Sequence, residues 1–440
     1  MKKAIILYYP KIRYLPEYKF FWTPLPLLAI SKLLKNNYEI ILIDGNIQKD
    51  YFKTIEDNLC RCVCVGISTM TGGGQLLDAI KFAQLIKNTS KDIPIVWGGP
   101  LPTSLPNECI KHDFVDVVVR GQGEITFMEV VNNLERKSSL DKISGITYKK
   151  IDGKVIHNTD RSIFDINNLP NIPWELVKVE NYIRNDVTVN TKTINFVSSY
   201  GCPYGCKFCY EVVAYKRRWT GLKAERLLNE LSVLVNQYGI NGVKFYDANF
   251  FVNPSRVKEF CKGLMDRKLK IKWAASAHPK DLLRLKNDFN LIKQSGCTRI
   301  LIGAESGSPE ILIFIDKKVS VEEILEVARL CHEFQIIGSF TFIVGFPINV
   351  DEEVEKTNNL IAINRRDYQE HEIRVHLWAP YPGTELYPIA LGKGFKPPKT
   401  LEEWADYEYY KPQTPWVNER SIKIIEHTFQ WNLEAGGTQL

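Results

Sequence analysis

The chain has 440 residues, 45% of them hydrophobic, enough for two or three cored domains. Its 57 basic and 51 acidic residues leave a net charge of +6, too mild a balance to argue for a nucleic-acid partner. No apolar run approaches the ~18 residues of a membrane span, and the run at 4–9 is too short for a signal-peptide core, so a cytoplasmic protein with reduced cysteines is expected.

Five strand-like segments, at 3–9, 38–44, 62–68, 93–98 and 115–119, alternate with helical ones such as 75–87. Each reads as a continuous apolar run, as strands covered on both faces do. The pattern predicts an α/β domain over 1–142 with a doubly wound parallel sheet, whose ligand lies beyond the carboxyl ends of its strands. Small and special residues fall at those ends: Asp44-Gly45, Ser68-Thr69 with Gly72-Gly73-Gly74, Gly98-Gly99, and Gly121-Gln122-Gly123-Glu124. Each glycine run alone is an ordinary turn; four on one sheet edge indicate a ligand that approaches the backbone closely.

Residues 143–190 are expected to form a linker with a hairpin turning at Asp152-Gly153, followed by Pro170, Pro173 and Trp174. From 191 to 386 the alternation resumes, with strands expected at 194–199, 243–248, 272–277, 299–304, 337–344 and 372–379. Helix 223–238 carries one apolar stripe that Gly239 stops, Pro254 after Asn253 opens another helix, and Ser320 with Glu323 forms a capping box. Six β/α units make a partial (β/α)6 barrel, and barrel chemistry sits at the carboxyl ends of strands. There the sequence puts Asp247 and Asn249, His278, Glu305 and Ser306, Gly345-Phe346-Pro347 and Tyr381-Pro382-Gly383. Residues 387–440 form an aromatic-rich C-terminal region with Trp404, Trp416 and Trp431, expected to pack as core.

Directly after the first barrel strand stands Cys202-Pro-Tyr-Gly-Cys206-Lys-Phe-Cys209. Three thiolates hold three irons of a [4Fe–4S] cube, which four cysteines normally close, and leave one iron open. A zinc site would want a fourth ligand nearby, yet no His or Cys follows until Cys261. The other seven cysteines are scattered, or alternate along a strand at Cys60, Cys62 and Cys64, and read as small buried apolar residues.

The cysteine motif followed by Tyr210 resembles the signature of the radical S-adenosylmethionine (SAM) superfamily, and Gly303-Ala-Glu305-Ser306-Gly307 resembles its fourth-strand SAM-binding stretch. Val344-Gly-Phe-Pro347 and Pro382-Gly383-Thr384 fit the cobalamin-containing subgroup. Upstream, Pro24-Leu-Pro26, Gly98-Gly99 and Gly121-Gln122-Gly123-Glu124 resemble the cobalamin-binding domain that precedes many such enzymes. The usual Asp-x-His-x-x-Gly motif is absent, with Asp44-Gly45-Asn46 in a comparable stretch, so the resemblance implies cobalamin without a histidine below the cobalt.

The resemblance implies cluster ligation by Cys202, Cys206 and Cys209, with SAM on the open iron. It points to Phe208, Asp247, Asn249, His278, Glu305 and Ser306 as SAM contacts, and to Ser68, Thr69, Gly73, Gly98, Gly99, Gly121 and Glu124 as cobalamin contacts. For Asp247 and Asn249 strand-end capping is the competing reading. For His278, where relatives often carry Arg, a cationic SAM contact and a structural histidine stand equal.

The expected activity is methylation of a substrate carbon, the methyl passing from SAM through methylcobalamin and a 5′-deoxyadenosyl radical activating the carbon. No side chain then needs to be a nucleophile. The alternative is a cobalamin-dependent radical SAM enzyme that cyclises, rearranges or oxidises without methylating. Expected partners are a small-molecule or peptide substrate, with His376, Trp378 and Tyr381 as candidate pocket residues, and a flavodoxin-like electron donor.

Overall fold

The computed structural model describes residues 2–12, 21–70, 75–150, 152–407 and 414–423. They fall into two compact units. One comprises Met1–Tyr182, Val213–Lys216 and Pro398–Glu408; the other comprises Ile183–Val212, Arg217–Pro397 and Tyr409–Leu440.

The first unit is built on β1 (Ala4–Tyr9), β2 (Glu39–Asp44), β3 (Cys62–Ser68), β4 (Ile95–Gly98), β5 (Val117–Val119), β6 (Ile146–Lys149) and β7 (Val155–His157), in the order β2-β1-β3-β4-β5-β6-β7. The first five run parallel, and the chain order reverses between β1 and β3, as in a doubly wound sheet. All six residues of β1 are buried, because both faces are covered. Ile5, Leu7 and Tyr9 join Leu27, Phe127 and Val130 in one core, while on the other face Tyr8 stacks on Phe82 at 3.6 Å.

Two expectations change here. The hairpin assigned to a linker pairs antiparallel with β5 and supplies the last two strands of the sheet. Buried Ile146 and Tyr148 cover an edge that Val117 and Val119 would otherwise expose. The C-terminal region also divides: helix Leu401–Ala405 packs on helix Gln75–Thr89 of this unit and buries Trp404. Trp431 and Gly73 lie outside the described residues.

The second unit is a half-barrel. Its strands are β8 (Arg184–Asp186), β9 (Asn190–Phe196), β10 (Ser199–Gly201), β11 (Trp219–Gly221), β12 (Gly242–Phe245), β13 (Lys272–Ala277), β14 (Cys297–Glu305), β15 (Ile337–Val344) and β16 (Glu372–Leu377). The main sheet has the order β16-β15-β14-β13-β12-β9-β8, and β10 and β11 form a separate hairpin. Six strands run parallel, with β8 antiparallel at the edge.

The helices start and stop as their sequence dictates. Gly239 takes a left-handed φ of 65° after Ala224–Tyr238, the Asn253 side chain accepts from Arg256 N, and Ser320 and Glu323 close a reciprocal capping box. They cover the outer face of the sheet, where Phe196, Phe245, Trp273, Phe340 and Phe342 are fully or almost fully buried. Alternate residues on the inner face, among them Lys244, Ser276, Leu301, Thr341 and Arg374, are only half-buried.

Candidate active site

Strand β9 leads through Ser198 and β10 into the cysteine loop. The pairing of β10 with β11, Gly201 opposite Trp219, fixes the backbone directly before Cys202, and Gly201 makes the turn at φ 77°. Beneath this hairpin lies the fully buried carboxylate of Asp247. It accepts from Ser198 N at 2.7 Å, Ser198 Oγ at 2.6 Å and Ser199 Oγ at 2.5 Å. Burial pushes its carboxyl up, and the nearby Arg256 charge opposes that shift. Arg256 in turn donates to Ser198 Oγ at 2.5 Å and to Leu222 O at 2.7 Å. Asp247 therefore anchors the entry to the cysteine loop, and its oxygens are engaged by the protein itself.

A second layer holds the loop from the side. Asn249, with no exposed surface, donates to Asp281 at 2.7 Å and, beside Cys202, opposes the upward shift of its thiol. Tyr204, inside the loop, donates to the other Asp281 oxygen at 3.1 Å and stacks on His278 at 3.6 Å. His278 Nδ1 accepts from Lys280 N at 3.2 Å, and Nε2 faces the Lys317 carbonyl at 2.8 Å, which requires the neutral ring with the proton on Nε2. Burial, reinforced by the Lys317 charge, lowers its pKa to about 2. His278 is thus a neutral ring with both nitrogens engaged within the protein.

The buried ammonium of Lys317 pairs with Glu305 at 2.8 Å. Burial opposes its charge, but Glu305 and then the Cys206 thiol outweigh burial and raise its pKa. Glu305 holds a left-handed φ of 67°, costly for a non-glycine residue. A Cβ at Gly303 would stand 2.5 Å from the Glu305 carboxylate and 2.9 Å from Lys317 Nζ, so glycine makes room for the pair. Ser306 is turned inward, accepting from Ser308 N at 3.1 Å and touching the Thr357 hydroxyl at 3.3 Å. Phe208 is half-buried and packs on Phe346 at 5.9 Å, which stacks on Trp378 at 5.2 Å.

The cysteine donor set fits a cluster. Among the described residues no three His, Cys, Asp or Glu side chains converge to hold a single metal ion. A four-iron cube takes one thiolate per iron, so its ligands need not converge on a point. The thiols still share one environment: burial pushes Cys202 up to about 11 and Cys209 further, each raised again by its neighbouring cysteines. Lys317 acts the other way on Cys206. Iron binding must then release these protons.

In the first unit, the carboxyl ends of β3, β4 and β5 carry the residues that the sequence singled out. Gly99 has a φ of 102°, and a Cβ there would meet Thr69 O at 2.6 Å. Gly121, at φ 69°, donates its N–H to Thr103 Oγ1 at 3.0 Å. Ser68 and Gly98 end the paired strands β3 and β4, and Glu124 opens helix Glu124–Glu135 while buried. The Thr69 hydroxyl and the Gln122 Nε2 are buried without a hydrogen-bond partner. Such orphans are expensive unless a ligand satisfies them, so this edge fits a polar cofactor such as cobalamin.

Comparison with known proteins agrees with these two sites. Residues 196–361 match the radical SAM superfamily and residues 14–131 the B12 binding domain. An uncharacterized methyltransferase of Pyrococcus horikoshii is 30% identical over 377 residues, 84% of this chain and 78% of its own length. The chain belongs to the cobalamin-dependent radical SAM enzymes. The anaerobic magnesium-protoporphyrin IX monomethyl ester cyclase of Synechocystis is 24% identical over 374 residues, 83% of this chain and 72% of its own length. In fold, the radical SAM methyltransferase TsrM from Kitasatospora setae, whose structure holds cobalamin and a [4Fe–4S] cluster, superposes with a TM-score of 0.70. It has 17% identity and covers 93% of this chain and 81% of its own.

As a cobalamin-dependent radical SAM enzyme, the protein uses a [4Fe–4S] cluster, SAM and cobalamin. Among its described residues no helix is long and apolar enough to cross a membrane. Sequence reasoning missed Lys317, Asp281, Arg256 and Tyr204, all of which brace the loop. Lys317 follows Asp316 and precedes Lys318 in what reads as an exposed charged turn; nothing local marks it as buried.

Proposed function

We propose that this enzyme methylates a carbon of its substrate, with SAM as the methyl source and cobalamin as the carrier. The observation that carries this reading is the 30% identity to an uncharacterized methyltransferase across 84% of the chain, against 24% to the cyclase. When bound, the cluster with SAM supplies one-electron activation of the substrate and cobalamin supplies methyl transfer. The chain's own residues bind and orient. Cys202, Cys206 and Cys209 hold the cluster, and Asp247, Asn249 and His278 fix the loop that carries them. Glu305 with Lys317 presents a rigid polar pair beside Cys206, and the half-buried ring of Phe208 offers a face for the adenine of SAM. Ser68, Thr69, Gly98, Gly99, Gly121 and Glu124 form the cobalamin edge, and a flavodoxin-like protein serves as reductant.

The cyclase relative favours a second reading, in which the same cofactors act without methyl transfer. Nucleoside products separate the two. Incubating the reconstituted enzyme with SAM, cobalamin and a chemical reductant is expected to yield both S-adenosylhomocysteine and 5′-deoxyadenosine. Deoxyadenosine alone would replace methylation with the second reading.

A further inference from the structure

The inner face of the half-barrel gathers four cations. Among the described residues, Arg184, Lys244, Arg299 and Arg374 lie beside two carboxylates: Asp186, 3.1 Å from Arg184 and 3.8 Å from Lys244, and Glu372, 2.6 Å from Arg299 and 3.9 Å from Arg374. The parallel register puts Lys244, Ala274 and Arg299 at one level of adjoining strands β12, β13 and β14, with Arg374 on β16 aligned to Thr341 and Gly303 above them. Gly303 is two residues from Glu305, so the charged group begins roughly 7 Å below the strand ends, at ~3.3 Å per residue.

Arg299 is the telling member. Its side chain is 9% exposed, one nitrogen binds Glu372, and its Nε and Nη1 are buried with no hydrogen-bond partner. The second oxygen of Glu372 has no hydrogen-bond partner either, so the pair does not saturate itself. Unmade hydrogen bonds on a buried guanidinium are among the costlier defects that a fold carries, and they persist where a ligand completes them. The surrounding wall is half-buried rather than packed shut, as Ser276, Leu301 and Thr341 show.

We propose that this inner-face cluster is the substrate's anchor, and that the substrate is an organic molecule bearing a phosphate or carboxylate group. Guanidinium forks match the geometry of both oxyanions. The unpartnered Nε and Nη1 of Arg299 are the donors that such an oxyanion would engage. Burial lowers Lys244 to about 8, ahead of the opposing pull of Asp186, and an added anion beside it would oppose that lowering. The inference rests on the reading of this half-barrel as the substrate-activating unit and names the chemistry that the substrate presents to it.

Anion binding tests it without turnover. The full-length holoenzyme, saturated with SAM so that SAM's own carboxylate is accounted for, is melted without reductant at constant ionic strength. Inorganic phosphate and succinate are the probes and chloride the reference. A saturable rise in Tm is expected with at least one probe, and the better probe identifies the oxyanion. Arg299→Lys keeps the charge and removes the fork, and should raise the half-saturating concentration about tenfold, the loss of one charge-assisted hydrogen bond. Lys244→Met should do the same. The absence of a saturable shift, or half-saturation in both variants at the same concentration as in the unchanged enzyme, overturns the proposal. Formation of S-adenosylhomocysteine is scored separately, so failure here leaves the methylation reading standing, and the reverse holds.

Discussion

The two sheets obey one rule of chain order, β after α after β, yet use their faces in opposite ways. Strand β1 is buried at all six positions, whereas β16 alternates half-buried and buried residues along Glu372–Val375. A strand covered on both faces leaves only its end for a ligand. A strand covered on one face can line a site along its length. The first unit therefore offers an edge, built from Thr69, Gly99 and Gly121, and the second offers an edge and a wall. The difference shows how one αβ alternation can offer a ligand a strand edge alone in one unit and an edge with a lined face in the other.

The sharpest way to break this comparison is to disable one unit and ask whether the other survives. Replacing Cys202, Cys206 or Cys209 with alanine should reduce cluster iron to background and abolish SAM cleavage, while corrinoid absorbance after reconstitution persists. Iron assay and the visible spectrum check both halves. Next in size is Lys317→Met, which strands the Glu305 carboxylate in a buried site. Removing one partner of a buried pair costs about 3–5 kcal/mol, and a shift in the denaturant midpoint would report it.

Acid sensitivity should follow from His278. Its folded pKa of about 2 lies below the ordinary 6.5, because burial disfavours the charged ring. Between those values the unfolded chain holds the extra proton, so the stability contribution is complete above pH 6.5 and declines as pH falls toward 2. From pH 7.5 to 5 the loss should be about 2 kcal/mol, and His278→Gln should flatten that slope in unfolding titrations.

Much of this was legible in the sequence, for physical reasons that differ by site. Strand positions showed because burial on both faces demands apolar runs such as residues 4–9. The cysteine loop showed because three ligands lie within eight residues. Asp247 was legible as a polar residue at a strand end, but not as an anchor for Ser198 and Ser199, since its partners are 48 and 49 residues away. Hairpin β6–β7 read as a linker because short strands at a sheet edge carry little pattern of their own. The inner-face charges were invisible, because Lys244, Arg299 and Arg374 sit on different strands and meet only through the register.

Gly99→Ala forces a side chain into a left-handed backbone at about 1–2 kcal/mol and toward Thr69 O. It should weaken cobalamin retention while leaving cluster iron unchanged, as gel filtration followed by corrinoid and iron assays would show. Cys60→Ser, at an exposed position, should change neither cofactor and move stability by less than about 0.5 kcal/mol.

If the enzyme transfers methyl groups through its corrinoid, the methyl of SAM must reach the cobalt. Mass spectrometry of the corrinoid recovered after incubating the reduced holoenzyme with methyl-deuterated SAM reads this out. A trideuteriomethyl group on the cobalamin, with matching S-adenosylhomocysteine, is the predicted result. An unlabelled corrinoid accompanied by continued formation of 5′-deoxyadenosine would contradict it.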